Sequence, residues 1–301
     1  MYNVNYNYNV IFNDIGGKDM SNCESCSSKD SCNSNEKDCS RMFAKYGNIK
    51  NIIGVISGKG GVGKSTVTGI LAVELSKKGF KVGVLDADIT GPSMPRILGI
   101  NKKRSEMIIM EGNEDQPQLV PVETESGIKV MSLNLLIESE DQPVIWRGPL
   151  ITGVLNQMYE DTVWGELDYL LIDMPPGTGD IALTIMQSMP ITGMVVVSTP
   201  QDMVSMIVKK VVSMIDKMNI HLLGVVENMS YIKCGSCGDK IRVFSKKTGE
   251  EHASYLGAKL LAEMPINVDM AESLEKGEME RFIRNSQEHN ELINNFMKAL
   301  G

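Results

Sequence analysis

The 301-residue chain has no apolar run of the roughly 18 to 20 residues that a membrane-spanning helix needs. It also has no basic excess, since its formal net charge is −8 and its pI is near 5.1. This balance argues against a protein that coats nucleic acid. Residues 1–10 contain neither the basic nor the apolar region of a signal peptide. These absences favour a cytoplasmic protein with no membrane and no nucleic-acid partner.

Histidine is scarce as well. The three histidines, His221, His252 and His289, are scattered and adjoin no cysteine motif. No Ser–His–Asp triad can therefore be proposed, and the 21 methionines favour core packing over copper binding. We expect the histidines to be structural or to face solvent.

One glycine-rich stretch satisfies the G-x-x-x-x-G-K-[ST] pattern of phosphate-binding loops. An apolar run at 52–56 precedes it and a helical pattern from Ser65 to Lys78 follows it, which is the context that this motif requires. Glycine N–H groups, the helix N-terminus and the Lys64 ammonium favour phosphate, and the Ser65 hydroxyl is placed to bind Mg²⁺. The motif predicts a nucleotide site formed by Gly58, Lys59, Gly60, Gly61, Val62, Gly63, Lys64, Ser65 and Thr66.

The chain divides into a short arm and one large domain. Residues 1–46 are polar and poor in apolar periodicity, so we expect a flexible arm without its own core, whose natural start could be Met20. Residues 47–301 alternate apolar runs with helical patterns, which predicts an α/β fold of three layers, a mostly parallel sheet flanked by helices on both faces. The acidic segment 111–127 is expected to leave the core. The predicted strands are 52–56, 81–85, 128–132, 169–173, 193–198, 222–227 and 259–264, and the predicted helices are 64–78, 150–160, 180–188, 202–218, 249–256 and 287–300.

Acidic residues follow two of the predicted strands. Asp86 and Asp88 stand two apart where the second strand ends, so one can reach a metal-bound water while the other orients the attacking water. Asp173 ends a further apolar strand, the usual position of a second Mg²⁺ partner. The turn that follows contains Gly177, whose N–H could sense the γ-phosphate. Together with the phosphate loop, these positions predict nucleotide hydrolysis.

Several motifs resemble one known family. The loop 58–66, with Lys59 directly after its first glycine, looks like the deviant phosphate loop of the MinD/ParA class. Within residues 48–280, further motifs are similar to those of the Mrp/ApbC family of iron–sulfur carrier ATPases. These motifs are DADITGPS at 86–93, WRGP at 146–149, DMPPGTGD at 173–180, STPQ at 198–201 and NMSY at 228–231.

The family is thought to assemble iron–sulfur clusters and pass them to apoproteins, as a homodimer with ATP at the subunit interface. The resemblance implies that Lys59 reaches the ATP of the other subunit and that Asn228 recognises adenine. It implies that Asp86 and Asp88 serve magnesium and the attacking water. The expected protein is a slow ATP hydrolase that works with cluster scaffold proteins and recipient apo iron–sulfur proteins.

The pair Cys234 and Cys237 lies in a C-x-x-C-G sequence, which forms a tight turn whose N–H groups can point at sulfur. Two thiolates are too few for a tetrahedral metal or a four-cysteine cluster, but a twofold axis would supply four. From the residues alone, an iron–sulfur cluster, a zinc half-site, a redox dithiol and an ordinary loop with incidental cysteines all stay open. The resemblance favours a [4Fe–4S] cluster that bridges two subunits.

Four more cysteines lie in the arm: Cys23, Cys26, Cys32 and Cys39. They supply enough thiolates for a cluster or a zinc ion within one chain. Some eukaryotic relatives carry a lone cysteine upstream of a C-x₂-C-x₅-C core, whereas here the fourth cysteine lies downstream. A cluster, zinc and unliganded thiols therefore remain open for the arm.

Two other classes of function compete with the cluster carrier. A MinD/ParA-like positioning ATPase would need a basic amphipathic C-terminal helix or a basic patch, and the tail 286–300 carries only Lys298 against two glutamates. An ATPase that resembles nitrogenase iron protein would use widely spaced single cysteines, unlike Cys234 and Cys237.

Overall fold

The computed structural model describes residues 42–89, 91–109, 117–137 and 148–301. The strands in these residues are β1 (Gly47–Ser57), β2 (Val82–Asp86), β3 (Glu106–Ile108), β4 (Gln118–Val120), β5 (Val122–Glu123), β6 (Lys129–Met131), β7 (Gly165–Asp173), β8 (Gly193–Ser198), β9 (Leu222–Lys233), β10 (Lys240–Ile241) and β11 (Leu260–Pro265). The helices are α1 (Lys64–Lys77), α2 (Met94–Ile97), α3 (Gly148–Glu160), α4 (Asp180–Ser188), α5 (Asp202–Lys217), α6 (Gly249–Leu256), α7 (Val268–Glu275), α8 (Met279–Asn285) and α9 (Asn290–Leu300).

Nine of the described strands form one sheet, in the order β10-β9-β8-β1-β7-β2-β6-β5, with β11 also paired to β9. All neighbours are parallel except β10 and β5, which pair antiparallel at the ends of the order. The central strands are apolar throughout because helices cover both of their sides. The mostly parallel sheet and its flanking helices confirm the predicted fold class.

The register of the central strands brings their carboxyl ends to one level. Asp86 at the end of β2 pairs with Asp173 at the end of β7, and Val55 on β1 pairs with the same Asp173. Carboxyl ends of parallel strands are where open α/β sheets bind ligands. The acidic residues predicted to act together therefore lie at one edge of the sheet.

Each predicted strand and helix is present; α4, α6 and β8 have the predicted ends, and the others have shifted ends. β9 is longer than predicted, because it continues past the sheet core to Lys233 and pairs there with β10. The prediction that 111–127 leaves the core is wrong for its second half, since β5 pairs with β6 in the main sheet. The short helices α7 and α8 were not predicted, because the segment 265–285 has no long apolar repeat.

Among the residues that the structure describes, no helix combines the length and apolar character needed to cross a membrane. The C-terminal helix α9 is strongly amphipathic, and its apolar residues Leu292, Ile293 and Phe296 are buried. They pack against β9 and β11. The apolar face of α9 is thus part of the core.

The beginning of the described chain is attached to the domain. The Met42 N–H donates to the Ser188 carbonyl at 2.8 Å, and the Lys45 N–H donates to the Glu160 carbonyl at 2.9 Å. The Lys45 ammonium also lies 2.7 Å from Asp161. The predicted arm of residues 1–46 therefore overlaps the folded domain by five residues, 42–46.

We predict that deletion of residues 1–41 leaves the thermal midpoint within about 2 °C of the parent, because the bonds of Met42 and Lys45 are kept. Deletion of 1–46 should lower the free energy of unfolding by about 2 to 4 kcal/mol, since it removes three backbone hydrogen bonds, including the one from the Gly165 N–H to Tyr46, and the two ion pairs of Lys45. Urea unfolding of both truncations measures the difference. A 1–41 deletion that does not fold would contradict this boundary.

Candidate nucleotide site and cysteine knuckle

The phosphate loop connects β1 to α1, as predicted. Gly61 and Gly63 adopt positive φ angles of 78° and 82°, which favour glycine. A Cβ at Gly63 would also lie 2.2 Å from the Asn228 side-chain nitrogen. The loop thus requires glycine at Gly63 for two reasons, backbone angle and close packing.

A buried ion pair lies beneath the loop. The Lys64 ammonium is 2.8 Å from Asp173 Oδ2 and 3.5 Å from Asp88 Oδ2, with Lys64 6% and Asp173 0% exposed. Ser65 Oγ donates to Asp173 Oδ2 at 2.6 Å, and Thr68 Oγ1 donates to Asp173 Oδ1 at 2.8 Å. A buried carboxylate needs such partners, because an uncompensated buried charge is costly.

The donor set at this point fits a hard divalent cation. The Ser65 hydroxyl, the Asp173 carboxylate and the Asp88 carboxylate are oxygen ligands of the kind that Mg²⁺ prefers. The Lys64 ammonium here takes the place of a cation beside Asp173. Binding of phosphate and Mg²⁺ would therefore exchange the partners of Lys64 from carboxylate to phosphate.

Asp86 is as fully buried as Asp173. Its Oδ2 accepts hydrogen bonds from the Met94 N–H and from Ser132 Oγ, both at 3.1 Å, and it is 0% exposed. Burial, and then the Asp173 carboxylate, raise the pKa of Asp86 to about 7, although Lys64 opposes the shift. A role for Asp86 in binding magnesium stays a prediction.

A cavity of about 710 Å³ opens over the loop. Gly60, Lys64 and Ser65 line one side with Asp88, and residues from α2, the turn after it and the end of α7 line the other. The second wall carries three cations, Arg96, Lys102 and Lys276. The cavity is thus large enough and positive enough for a nucleoside polyphosphate.

Three predicted site residues, Lys59, Gly177 and Asn228, do not line this cavity and make hydrogen bonds next to it or to the loop. Lys59 is exposed, and its ammonium donates to Gln201 Oε1 at 3.1 Å. The Gly177 N–H donates to the Ser57 carbonyl at 2.7 Å, so sensing of a γ-phosphate would require this bond to open. Asn228 is buried and donates to the Val62 carbonyl of the loop at 2.9 Å. Its recognition of adenine stays a prediction.

The predicted turn at the cysteine pair is present at the far end of β9. We call residues Cys234–Gly238 the cysteine knuckle. The Cys234 N–H donates to the Asp239 carbonyl and the Gly238 N–H to the Cys234 carbonyl, both at 2.9 Å. Cys234 is half-buried, whereas Cys237 is exposed. Hydrogen bonds from the N–H of Cys237, then from that of Ser236, lower the pKa of Cys234.

A charged network that the sequence analysis missed holds the chain after the knuckle. Arg242 binds Glu263 through both ends of its guanidinium, at 2.9 Å and 3.1 Å, and Lys240 lies 3.0 Å from the same carboxylate. Burial raises the pKa of Glu263, but the hydrogen bonds from Arg242, the Gly249 N–H and Lys240 outweigh it and lower the pKa to about 2. Glu263 thus anchors the chain that returns from the knuckle.

The expectation that His252 is structural fits its position. His252 is buried beside Glu227, which also accepts a hydrogen bond from Ser230 at 2.7 Å, and its other ring nitrogen is 3.5 Å from Ser245 Oγ. These residues come from β9, α6 and the loop between them. The one feature of the sequence that pointed to these contacts was that Glu227 directly precedes the NMSY motif.

The two candidate sites are connected by β9 but are separate from each other. Asn228 contacts the phosphate loop, and Cys234 follows it by six residues along the chain. In the described part of the chain, no group of three or more His, Cys, Asp or Glu side chains could hold a metal ion. The arm cysteines Cys23, Cys26, Cys32 and Cys39, together with Trp146 and Arg147, lie outside the described residues.

The fold and the loop define the class of this protein, a P-loop NTPase with a mostly parallel sheet. Residues 48–300 match the ParA family described as NUBPL iron-transfer P-loop NTPase. The chain belongs to this family. Nucleotide hydrolysis is the general activity of its class.

Related proteins agree with this assignment. The chain is 65% identical over 271 residues to an iron–sulfur cluster carrier protein of Clostridium perfringens, covering 88% of this chain and 95% of that one. It is 44% identical to a protein of the same name from Methanocaldococcus jannaschii, over 85% of this chain and 87% of that one.

Solved structures show the same architecture. A nucleotide-binding protein from Archaeoglobus fulgidus in complex with ADP is 41% identical, with a TM-score of 0.67, over 78% of this chain and 89% of that one. The cell-division ATPase MinD of Pyrococcus furiosus is 22% identical, with a TM-score of 0.54, over 83% of this chain and 97% of that one. The second comparison supports the fold alone.

We predict that Lys64→Ala abolishes ATP binding, because it removes the buried ammonium that faces the phosphates. It should also cost about 3 kcal/mol of stability, since Asp173 stays buried without its cation. Asp88→Asn, at the edge of the same cavity, should bind ATP and hydrolyse it more slowly. Calorimetric ATP titration and phosphate release measure both effects. A Lys64→Ala protein that hydrolyses ATP at the parental rate would contradict the assignment.

A second prediction concerns pH. Because the folded pKa of Asp86, about 7, lies above its ordinary value of 3.8, the folded state binds more protons between these values. Stability therefore falls as pH rises through this window. Asp86→Asn keeps the hydrogen-bond acceptor and removes the charge, so its stability relative to the parent should grow from pH 4.5 to pH 8 by a few kcal/mol, on the order of 1.4 per pH unit.

Urea unfolding of the nucleotide-free proteins at both pH values tests this. The titration of groups that both proteins share cancels when their free energies of unfolding are subtracted. Equal stability differences at pH 4.5 and pH 8 would show that Asp86 is already ionised in the folded state.

Proposed function

We propose that this protein is an ATP-hydrolysing carrier that binds an iron–sulfur cluster at Cys234 and Cys237 and transfers it to apoproteins. One observation carries the proposal: an accessible pair of thiols, with N–H groups directed at one sulfur, ends the strand that also contacts the phosphate loop. N–H donors stabilise thiolate, which is the form that binds metal. The names of the relatives support iron–sulfur cargo.

In this proposal, ATP binding and hydrolysis depend on the buried charged residues beneath the phosphate loop. Lys64 and the loop N–H groups bind phosphate, Ser65 and Asp173 hold Mg²⁺, and Asp88 orients water at the cavity wall. Bound Mg²⁺ would neutralise charge on the phosphates. Lys59 is exposed and its ammonium donates to Gln201, which suits a lysine that completes a second subunit's site. Hydrolysis by one subunit alone is then slow.

A homodimer would supply the number of thiols that the cluster site requires. Each chain supplies two thiols, a [4Fe–4S] cluster needs four, and a twofold axis doubles the pair. Exposed apolar side chains flank the knuckle, namely Ile232, Ile241, Val243 and Phe244. A second copy that covers them would bury this surface and bring two knuckles together.

The proposed carrier works in the cytoplasm, takes clusters from scaffold proteins and delivers them to recipient apo iron–sulfur proteins. The alternative of a positioning ATPase that docks on membranes is disfavoured, because the apolar residues of α9 are buried against the sheet. The alternative of a redox ATPase is disfavoured by the C-x-x-C spacing, since Cys234 and Cys237 are adjacent ligands on one turn.

The test uses the full chain with Cys23, Cys26, Cys32 and Cys39 replaced by serine, so that only the knuckle can bind metal. Anaerobic reconstitution with iron, sulfide and zinc should give about four irons per dimer and a visible iron–sulfur spectrum. Cys234→Ala should remove all of this iron rather than half, and should spare ATP binding. Ser236→Ala, which keeps the backbone N–H, serves as the control and should load normally.

Two results would contradict the proposal. Uptake of zinc without iron would identify a zinc half-site. A Cys234→Ala/Cys237→Ala protein that still bound four irons per dimer and activated an apo-acceptor would place the cargo elsewhere.

A further inference from the structure

The residue after the knuckle directs a carboxylate at one of the two sulfurs. Cys237 Sγ donates a hydrogen bond to Asp239 Oδ2 at 3.2 Å. The backbone of Asp239 has a separate task, since its carbonyl accepts the Cys234 N–H that closes the turn. A substitution at Asp239 therefore changes the charge beside Cys237 and leaves the turn's backbone bond in place.

Two lysines close to the knuckle in the sequence form ion pairs with acids other than Asp239. Lys240 lies 3.0 Å from Glu263, which Arg242 also binds, and 4.4 Å from the centre of the Tyr231 ring. Lys233 lies 2.9 Å from Glu288. Within the part of the chain that the structure describes, no ion pair includes Asp239. Its carboxylate thus accepts the S–H of Cys237 without a cation paired to it.

This carboxylate interacts differently with the empty and the loaded knuckle. In the empty form it accepts the S–H of Cys237. On loading, an iron–sulfur bond replaces the S–H bond and the proton passes to water, so the hydrogen bond is lost and the carboxylate faces an anionic thiolate. On release, Cys237 takes a proton from water and the hydrogen bond forms again. Only the loaded form carries the repulsion.

We propose that Asp239 is a positioning residue that makes the knuckle release its cluster, by destabilising the loaded form relative to the empty one. The inference rests on the proposed function and deepens it. It concerns the rate at which cargo leaves, whereas Cys234 and Cys237 determine whether cargo binds. The same residue on each subunit of a dimer would act on one shared cluster.

The test compares charge variants of the full chain, again with the arm cysteines replaced by serine and loaded with cluster. Asp239→Asn removes the charge, and its amide N–H can donate to the ligating sulfur. We expect cluster loss to an iron chelator, and transfer to an apo-acceptor, to slow by about fivefold or more. The midpoint potential of the cluster should rise, because net charge and hydrogen bonds to sulfur set it.

Two control variants separate charge from structure. Asp239→Glu keeps the charge and should retain the parental rates. Asp216→Asn makes the same change in net charge near the end of α5, far along the chain from the knuckle, and should also release at the parental rate. ATP affinity and thermal midpoint should be the same in all variants. A merely structural role would instead make Asp239→Asn lose its cluster faster.

The outcomes distinguish this inference from the function on which it rests. If the parent protein loads and transfers a cluster, but Asp239→Asn releases it as fast as the parent or faster, the role of Asp239 is wrong and the carrier function stands. If the parent takes up no cluster at all, both proposals are overturned.

Discussion

The ion pair between Lys64 and Asp173 joins the phosphate loop to the sheet. Lys64 begins α1, and Asp173 ends β7, so their contact fixes the helix that follows the loop against the strand beside it. Both groups are buried, where an unpaired charge is costly, so each stabilises the other. The loop is therefore held in place before any nucleotide binds. A phosphate group that bound Lys64 would have to replace this pair, so the arrangement of charges at the site would depend on what is bound.

One strand, β9, connects the phosphate loop to the cysteine knuckle. β9 passes the loop at Asn228 and reaches Cys234 six residues later, about 20 Å along an extended chain. Beyond the knuckle, the chain returns to Glu263 on β11, which is paired with β9. Both ends of the knuckle are thus fixed to the same pair of strands. A change in the position of Asn228 would act on the strand that carries the thiols.

The sequence predicted those features that depend on local pattern. The phosphate loop, the apolar strands and the C-x-x-C turn each lie within a few consecutive residues, so spacing alone was informative. The network around Glu263 was not predictable in this way, because Arg242 and Gly249 reach it only after β11 pairs with β9. The same reason applies to Asp86, whose raised pKa depends on burial and on Asp173, 87 residues away. The bond of the Gly177 N–H to Ser57 also needed the folded structure.

The two sites treat charge in opposite ways, and this follows from what each must do. At the phosphate loop, the buried lysine and the carboxylates neutralise one another, so the empty site is held together by its own charges. At the knuckle, the proposed cargo would have to leave unchanged, so very tight binding would not suit that function. The knuckle is an exposed turn, and two lysines close to it, Lys233 and Lys240, form ion pairs with Glu288 and Glu263. Neither lysine therefore forms an ion pair with the Asp239 carboxylate that accepts the hydrogen bond of Cys237.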